Sequence, residues 1–120
     1  MKLAFPSMPP EAEKLLWDMD NAARRIESFS TGKTFDDYLR DELLRSGIER
    51  QFEIVGEAMT RLIKCAPDVA AKIADYRKIS GFRNALIHGY DSIDDTISWS
   101  IVQTKLPVLR REIAVIVGSG

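Results

Sequence analysis

Apolar residues recur at alternating spacings of three and four along three long stretches of the chain, a pattern typical of amphipathic helices that pack together. The first stretch carries Ala12, Leu15, Met19, Ala22, Ile26 and Phe29. The second carries Ile48, Phe52, Val55, Met59, Leu62 and Ala66, and the third carries Trp99, Val102, Leu106, Leu109, Ile113 and Ile116. No stretch of useful length alternates with the strand period of two. The pattern therefore predicts an all-α, up-and-down helical bundle.

Capping and helix-breaking residues indicate where the helices end. Thr34 followed by Asp37 resembles a capping box, and Gly32 suits a left-handed helix end. Pro107 should split or kink the last helix. The expected helices cover about residues 10–29, 35–41, 43–66, 68–74, 75–87 and the stretch from Ser92 to the C-terminus. Two of them are short additions to the bundle.

The composition predicts one soluble domain over residues 1–120, with residues 1–9 and 118–120 loosely ordered. No window approaches the roughly 18 apolar residues of a membrane span, and Pro6 interrupts any signal-peptide core. We therefore expect a cytoplasmic protein that does not contact membranes. Cys65 is the only cysteine, which excludes an intramolecular disulfide and leaves a half-buried, inert thiol as the expectation. Neither a metal ion nor a cofactor is expected.

Charge is distributed unevenly although the net charge is only −1. Such a balance gives no general attraction to nucleic acid. Between residues 72 and 90, however, the sequence contains four basic residues and only one acidic residue, Asp75. The basic residues are Lys72, Arg77, Lys78 and Arg83. A ligand that carries phosphate is therefore expected at this stretch, ahead of the acids at positions 91, 94 and 95.

The same stretch ends with the only histidine of the chain, His88, close to Arg83, Asn84 and Tyr90. Arg83 and His88 are five residues apart, or about 140° around an ideal helix. Either the helix ends between them, or they converge with groups from elsewhere. Asn84 lies four residues before His88 and could hold its imidazole in one tautomer. The simpler interpretation of His88 is a polar group at a helix end.

An arginine fork matches phosphate oxygens, and a histidine can transfer protons near neutral pH. Together they suit metal-free RNA cleavage, in which the 2′-hydroxyl attacks the adjacent phosphorus and the 5′-oxygen leaves after protonation. This reaction uses both an acid and a base, whereas each chain has one histidine. A symmetric homodimer would bring two histidines into one cleft.

The residues from Arg83 to Tyr90 read Arg-Asn-Ala-Leu-Ile-His-Gly-Tyr, which resembles the Arg-x4-His-x-Tyr signature of the HepT-like toxins in the HEPN superfamily. The resemblance extends to residues 16–19, 25–26, 35–43, 53–58 and 99–107. It implies a HEPN-like fold and a metal-independent endoribonuclease, the toxin of a type II-like toxin–antitoxin module. Arg83 and His88 would be the catalytic pair and Asn84 a supporting residue.

The resemblance further implies a homodimer whose two motifs line one cleft for RNA. It also implies a cognate MntA-like nucleotidyltransferase as antitoxin, which transfers AMP to Tyr90. The alternative function is a non-catalytic helical dimer that binds nucleotide or substrate for a nucleotidyltransferase. Glu57 is expected to pair with Arg61 one turn along its helix, and a supporting role in the site is the second interpretation.

Overall fold

The computed structural model describes residues 8–88 and 94–119, and all regular structure in these residues is helical. Helix α1 spans Pro10–Ser30, α2 Phe35–Arg40, α3 Glu42–Cys65, α4 Pro67–Ala70, α5 Tyr76–His88, α6 Asp95–Ser100 and α7 Leu106–Ser119. A π-helical turn, Ile101–Lys105, joins α6 to α7 and is called the π segment below. The predicted all-α fold is confirmed. The expectation of loose chain ends falls largely on residues 1–7 and 120, which lie outside the described residues.

The end of α1 and the start of α2 are set by nearby residues in the sequence, as predicted. Gly32 has a φ of +75°, which allows the chain to turn after α1. The backbone N–H of Asp37 donates to Thr34 Oγ1 at 3.1 Å, and the N–H of Thr34 donates to Asp37 Oδ2 at 2.9 Å. The predicted capping box is therefore confirmed. Helix α4 is shorter than predicted, since it ends at Ala70.

Pro107 divides the last helix, but through a widened turn that precedes it. The backbone N–H of Leu106 donates to the carbonyl of Ile101, five residues earlier. A proline offers no N–H to the carbonyl four residues before it, and its ring crowds that carbonyl. A π turn with one extra residue relieves this conflict.

Helix α3 lies at the centre of the bundle, packed against α1 on one side and α5 on the other. All six apolar positions predicted for its buried stripe are buried. The α1 stripe is buried apart from Phe29, which is 40% exposed and covers Gly47 of α3. Burial of these stripes supplies the main stabilisation of the fold.

A long-range ion pair fastens α7 to α1. The Arg110 guanidinium donates to both carboxylate oxygens of Asp20, at 2.9 and 3.2 Å, and to Glu27 Oε1 at 2.8 Å. These two carboxylates raise the pKa of Arg110. The sequence reasoning missed this contact, because its partners are far apart in the chain.

Cys65 is exposed, so the expectation of a half-buried thiol is wrong. It lies four residues after the exposed Arg61, on the solvent side of the last turn of α3. Among residues 8–88 and 94–119, no helix combines the length and the apolar character that crossing a membrane requires.

Candidate active site on helix α5

Two side-chain contacts fix how α5 lies on α3. Thr60 Oγ1 and Ser80 Oγ share a hydrogen bond of 2.6 Å. Farther along α5, the ring of Phe82 meets the ring of Phe52 edge-on, with centroids 5.3 Å apart. Because the numbering rises along α5 while it falls along α3, the two helices are antiparallel. The C-terminal end of α5 therefore lies beside the N-terminal half of α3.

The backbone of α5 continues through His88, so it includes the positions of Arg83, Asn84 and His88. The first alternative, a helix that ends between Arg83 and His88, is therefore wrong. The four residues between them contain neither glycine nor proline, and Gly89 comes only afterwards. The side chains of residues 83–88 and the whole of Tyr90 lie outside the described residues.

Helical periodicity places the two ends of the motif on different sides of α5. Position 83 falls within about 20–40° of Tyr76 and Ile79, which are half-buried. Position 88 falls within about 20° of Arg77 and Gly81, which are exposed. Helical periodicity thus separates the two ends of the motif by about 140° around α5.

The solvent side of α5 carries positive charge. Arg77 and Lys78 are both exposed, and neither forms an ion pair within the described part of the chain. The Arg77 guanidinium lies over the ring of Tyr76, 5.4 Å from its centroid. Asp75, the one acid in this stretch, has its carboxylate 3.9 Å from Lys105 Nζ. Arg77 and Lys78 are therefore exposed positive charges, whereas the nearby acid lies beside a lysine.

Carboxylates gather where α6 begins, beside the N-terminal half of α3. Asp94 caps α6 by accepting from the backbone N–H of Thr96 at 2.8 Å. Burial and the nearby Asp95 carboxylate raise the pKa of Glu49, while Arg45 opposes that shift. Negative charge here would repel an anionic ligand, whereas Arg77 and Lys78 would attract one. Sequence reasoning missed this cluster, because Glu49 and Asp95 are far apart in the chain.

The Glu57 carboxylate lies 3.1 Å from Arg61 Nε, which confirms the predicted pair along α3. Its supporting role in the site remains a hypothesis. In the part of the chain that the structure describes, no three side chains of the metal-binding types come together.

Comparisons with known proteins agree with the resemblance of the motif. Residues 19–116 match the ribonuclease HepT-like family. The chain is 27% identical to "Putative RNase MJ1380" of Methanocaldococcus jannaschii, over 88% of this chain and 96% of that protein. It is 30% identical to "Probable ribonuclease HepT" of Thermococcus cleftensis, over 79% of this chain and 86% of that protein. No solved structure is a significant match. On the family match, which spans most of its length, the chain belongs to the ribonuclease HepT-like family.

Proposed function

We propose that this protein is a metal-independent endoribonuclease, the toxin of a cytoplasmic toxin–antitoxin module, and that its active site is shared between the two chains of a homodimer. One observation carries the shared site: α5 runs unbroken through both Arg83 and His88, so their positions are about 140° apart. One helix does not direct both residues to the same phosphate. A second α5, related by a two-fold axis, supplies the missing partner.

In this mechanism the two residues have different tasks. His88 removes the proton from the 2′-hydroxyl, whose oxygen then bonds to the adjacent phosphorus. The phosphorus–O5′ bond breaks, and the 5′-oxygen takes a proton from water. Arg83 stabilises the negative charge that builds up on the phosphorus oxygens, while Asn84 orients the imidazole. The products are a 2′,3′-cyclic phosphate and a free 5′-hydroxyl.

Tyr90 regulates the site, two residues after His88. An MntA-like nucleotidyltransferase transfers AMP from ATP to the phenolic oxygen and releases pyrophosphate. The attached phosphate and adenosine place anionic bulk beside the histidine, so that RNA is repelled and sterically excluded. The test is mass spectrometry of the chain co-expressed with such an enzyme. AMP on wild type and none on Tyr90→Phe is the expected result, and AMP on other residues alone would contradict it.

Cleavage is tested with purified protein and RNA in EDTA, and the product ends are identified by mass spectrometry. Wild type should leave 2′,3′-cyclic phosphates, whereas His88→Ala and Arg83→Ala should lose at least about 100-fold in rate. Arg24→Ala is the matched control, since Arg24 is exposed on α1. Cleavage that persists in both motif variants would refute the catalytic assignment.

The alternative function is a dimer that binds a nucleotide without cleaving RNA. The carboxylate cluster at the start of α6 favours it, because negative charge weakens the hold on a long RNA. The two functions differ in one measurable property. Growth arrest on expression that disappears in His88→Ala indicates the ribonuclease, whereas nucleotide binding without His88-dependent toxicity indicates the binding protein.

A further inference from the structure

A cavity of about 200 Å³ lies beside α5, bordered by α3, the π segment and α7. Its walls are mainly apolar and include Phe52, Ile79, Phe82 and Leu109. Phe82 is half-buried, and Arg83 follows it in the chain. The cavity is thus next to the motif, on the side of α5 that also carries Lys78.

The π segment helps to form this cavity. Ile101 and Lys105, its first and last residues, both line the space. A π turn is energetically unfavourable compared with a regular helix, and such turns occur frequently at functional sites. Here Pro107 accounts for the π turn. The turn places the apolar side chain of Ile101 and the basic side chain of Lys105 at the edge of the cavity.

The size and walls of the cavity suit one flat ring. Sites that enclose drug-sized ligands measure roughly 300–1,000 Å³, so about 200 Å³ admits a ring system but not a complete nucleotide. Aromatic walls hold nucleobases of single-stranded RNA by stacking, with little dependence on sequence.

Two lysines and two acids border the opening, and Lys78 is the group that could bind an anion. The Asp75 carboxylate is 3.9 Å from Lys105 Nζ, and the Glu112 carboxylate accepts from the backbone N–H of Ala74 at 3.0 Å. Lys78 is exposed and forms no ion pair with any described residue. A ring inside the cavity and a phosphate at Lys78 together describe a nucleotide within an RNA strand.

We infer that this cavity is a base-binding subsite for single-stranded RNA, in which a base near the cleaved phosphate inserts between α5 and the π segment and a backbone phosphate contacts Lys78. The inference rests on the proposed ribonuclease function and adds how its substrate is held. It implies cleavage of unpaired RNA, since a base in a duplex is not free to enter.

Binding is measured apart from cleavage with a short 2′-O-methyl RNA oligonucleotide, which lacks the attacking hydroxyl. Val108 lies at the opening and is 39% exposed, so Val108→Trp should fill the cavity without disturbing the core. We expect Val108→Trp and Lys78→Glu each to raise the Kd about tenfold. The matched controls are Val115→Trp on the same helix, which is 69% exposed, and Lys64→Glu on α3, also exposed. Both should bind like wild type.

A second measurement does not depend on variants. Titration of labelled wild type with the oligonucleotide should shift the backbone amide resonances of residues 78–82, 101–106 and 108–109. Unchanged resonances, or unchanged affinity in both test variants, would overturn the subsite. If Val108→Trp instead alters the oligomeric state in light scattering while RNA affinity stays normal, the cavity is a contact between proteins and the inference is wrong.

The two proposals fail differently. Wild type that cleaves RNA while both test variants bind normally keeps the proposed function and removes the subsite. Wild type that binds through the cavity but never cleaves RNA keeps the subsite and removes the ribonuclease function.

Discussion

At the scale of single residues, Tyr38 shows how burial changes the chemistry of a side chain. Tyr38 is completely buried and its ring lies 5.3 Å from that of Trp99. Its hydroxyl finds no hydrogen-bond partner of good geometry among the described residues, and neither does the buried hydroxyl of Ser98. Burial, followed by the carboxylates of Glu49 and Asp95, raises the pKa of Tyr38 to about 12.

This shift predicts a loss of stability at alkaline pH. The folded protein keeps the Tyr38 phenol neutral. The contribution of this neutral phenol to the free energy of unfolding is complete below pH 10 and is lost as the pH rises to about 12. Between pH 10 and about pH 12, the unfolding free energy of wild type should fall by about 2–3 kcal/mol more than that of Tyr38→Phe. Urea denaturation at a series of pH values measures the difference. Tyr76→Phe, which leaves Tyr38 in place, should retain the alkaline loss, and an equal loss in Tyr38→Phe would contradict the explanation.

At the scale of elements, short helices depend on their caps because they have few internal hydrogen bonds. Helix α2 has only six residues, yet it presents Tyr38 to the core. The two reciprocal hydrogen bonds between Thr34 and Asp37 satisfy backbone groups that α2 itself leaves free. The capping box therefore supports the packing of a helix that would not form alone.

Removal of this cap should weaken the fold measurably. Thr34→Ala loses the oxygen that accepts from Asp37 and should cost about 1 kcal/mol of unfolding free energy. Thr96→Ala serves as control, since Thr96 is exposed on α6 and its hydroxyl makes no hydrogen bond with the described residues. Thermal denaturation should lower the Tm of the first variant only. Equal Tm values in the two variants would show that the capping box is dispensable.

At the scale of the whole molecule, the direction of α5 bears on how the proposed homodimer would combine the two ends of the motif. Positions 83 and 88 lie about 140° apart around the unbroken helix. Under the proposed function, the Arg83 of one chain acts together with the His88 of the other. Each dimer then contains two such pairs.

This arrangement predicts that two inactive variants restore activity when they are mixed. An Arg83→Ala chain paired with a His88→Ala chain leaves one of the two sites intact. Half of the dimers in an equal mixture are of this kind, so about a quarter of wild-type activity should return after the chains are exchanged. Each variant alone provides the baseline. A mixture that stays inactive, although mixed dimers are shown by native mass spectrometry, would place both residues of a site in one chain.

Much of the architecture follows from local sequence. The α3 stripe and the ends of α1, α2 and α5 were predicted within about one residue, since spacing, caps and glycines act over a few residues. Phe29 belongs to the pattern of α1 but remains 40% exposed, because a pattern does not show where the partner helix stops covering it. The exposure of Cys65 was missed for the same reason.

The sequence by itself determined the helices, the capping box and the motif from Arg83 to Tyr90, because hydrogen bonds within a helix and the order of side chains are local properties. Only the tertiary structure decided that α5 packs antiparallel against α3. It also decided that Arg110 meets Asp20 and that a cavity opens beside Phe82. Each of these depends on contacts between residues distant in the chain, which packing alone brings together.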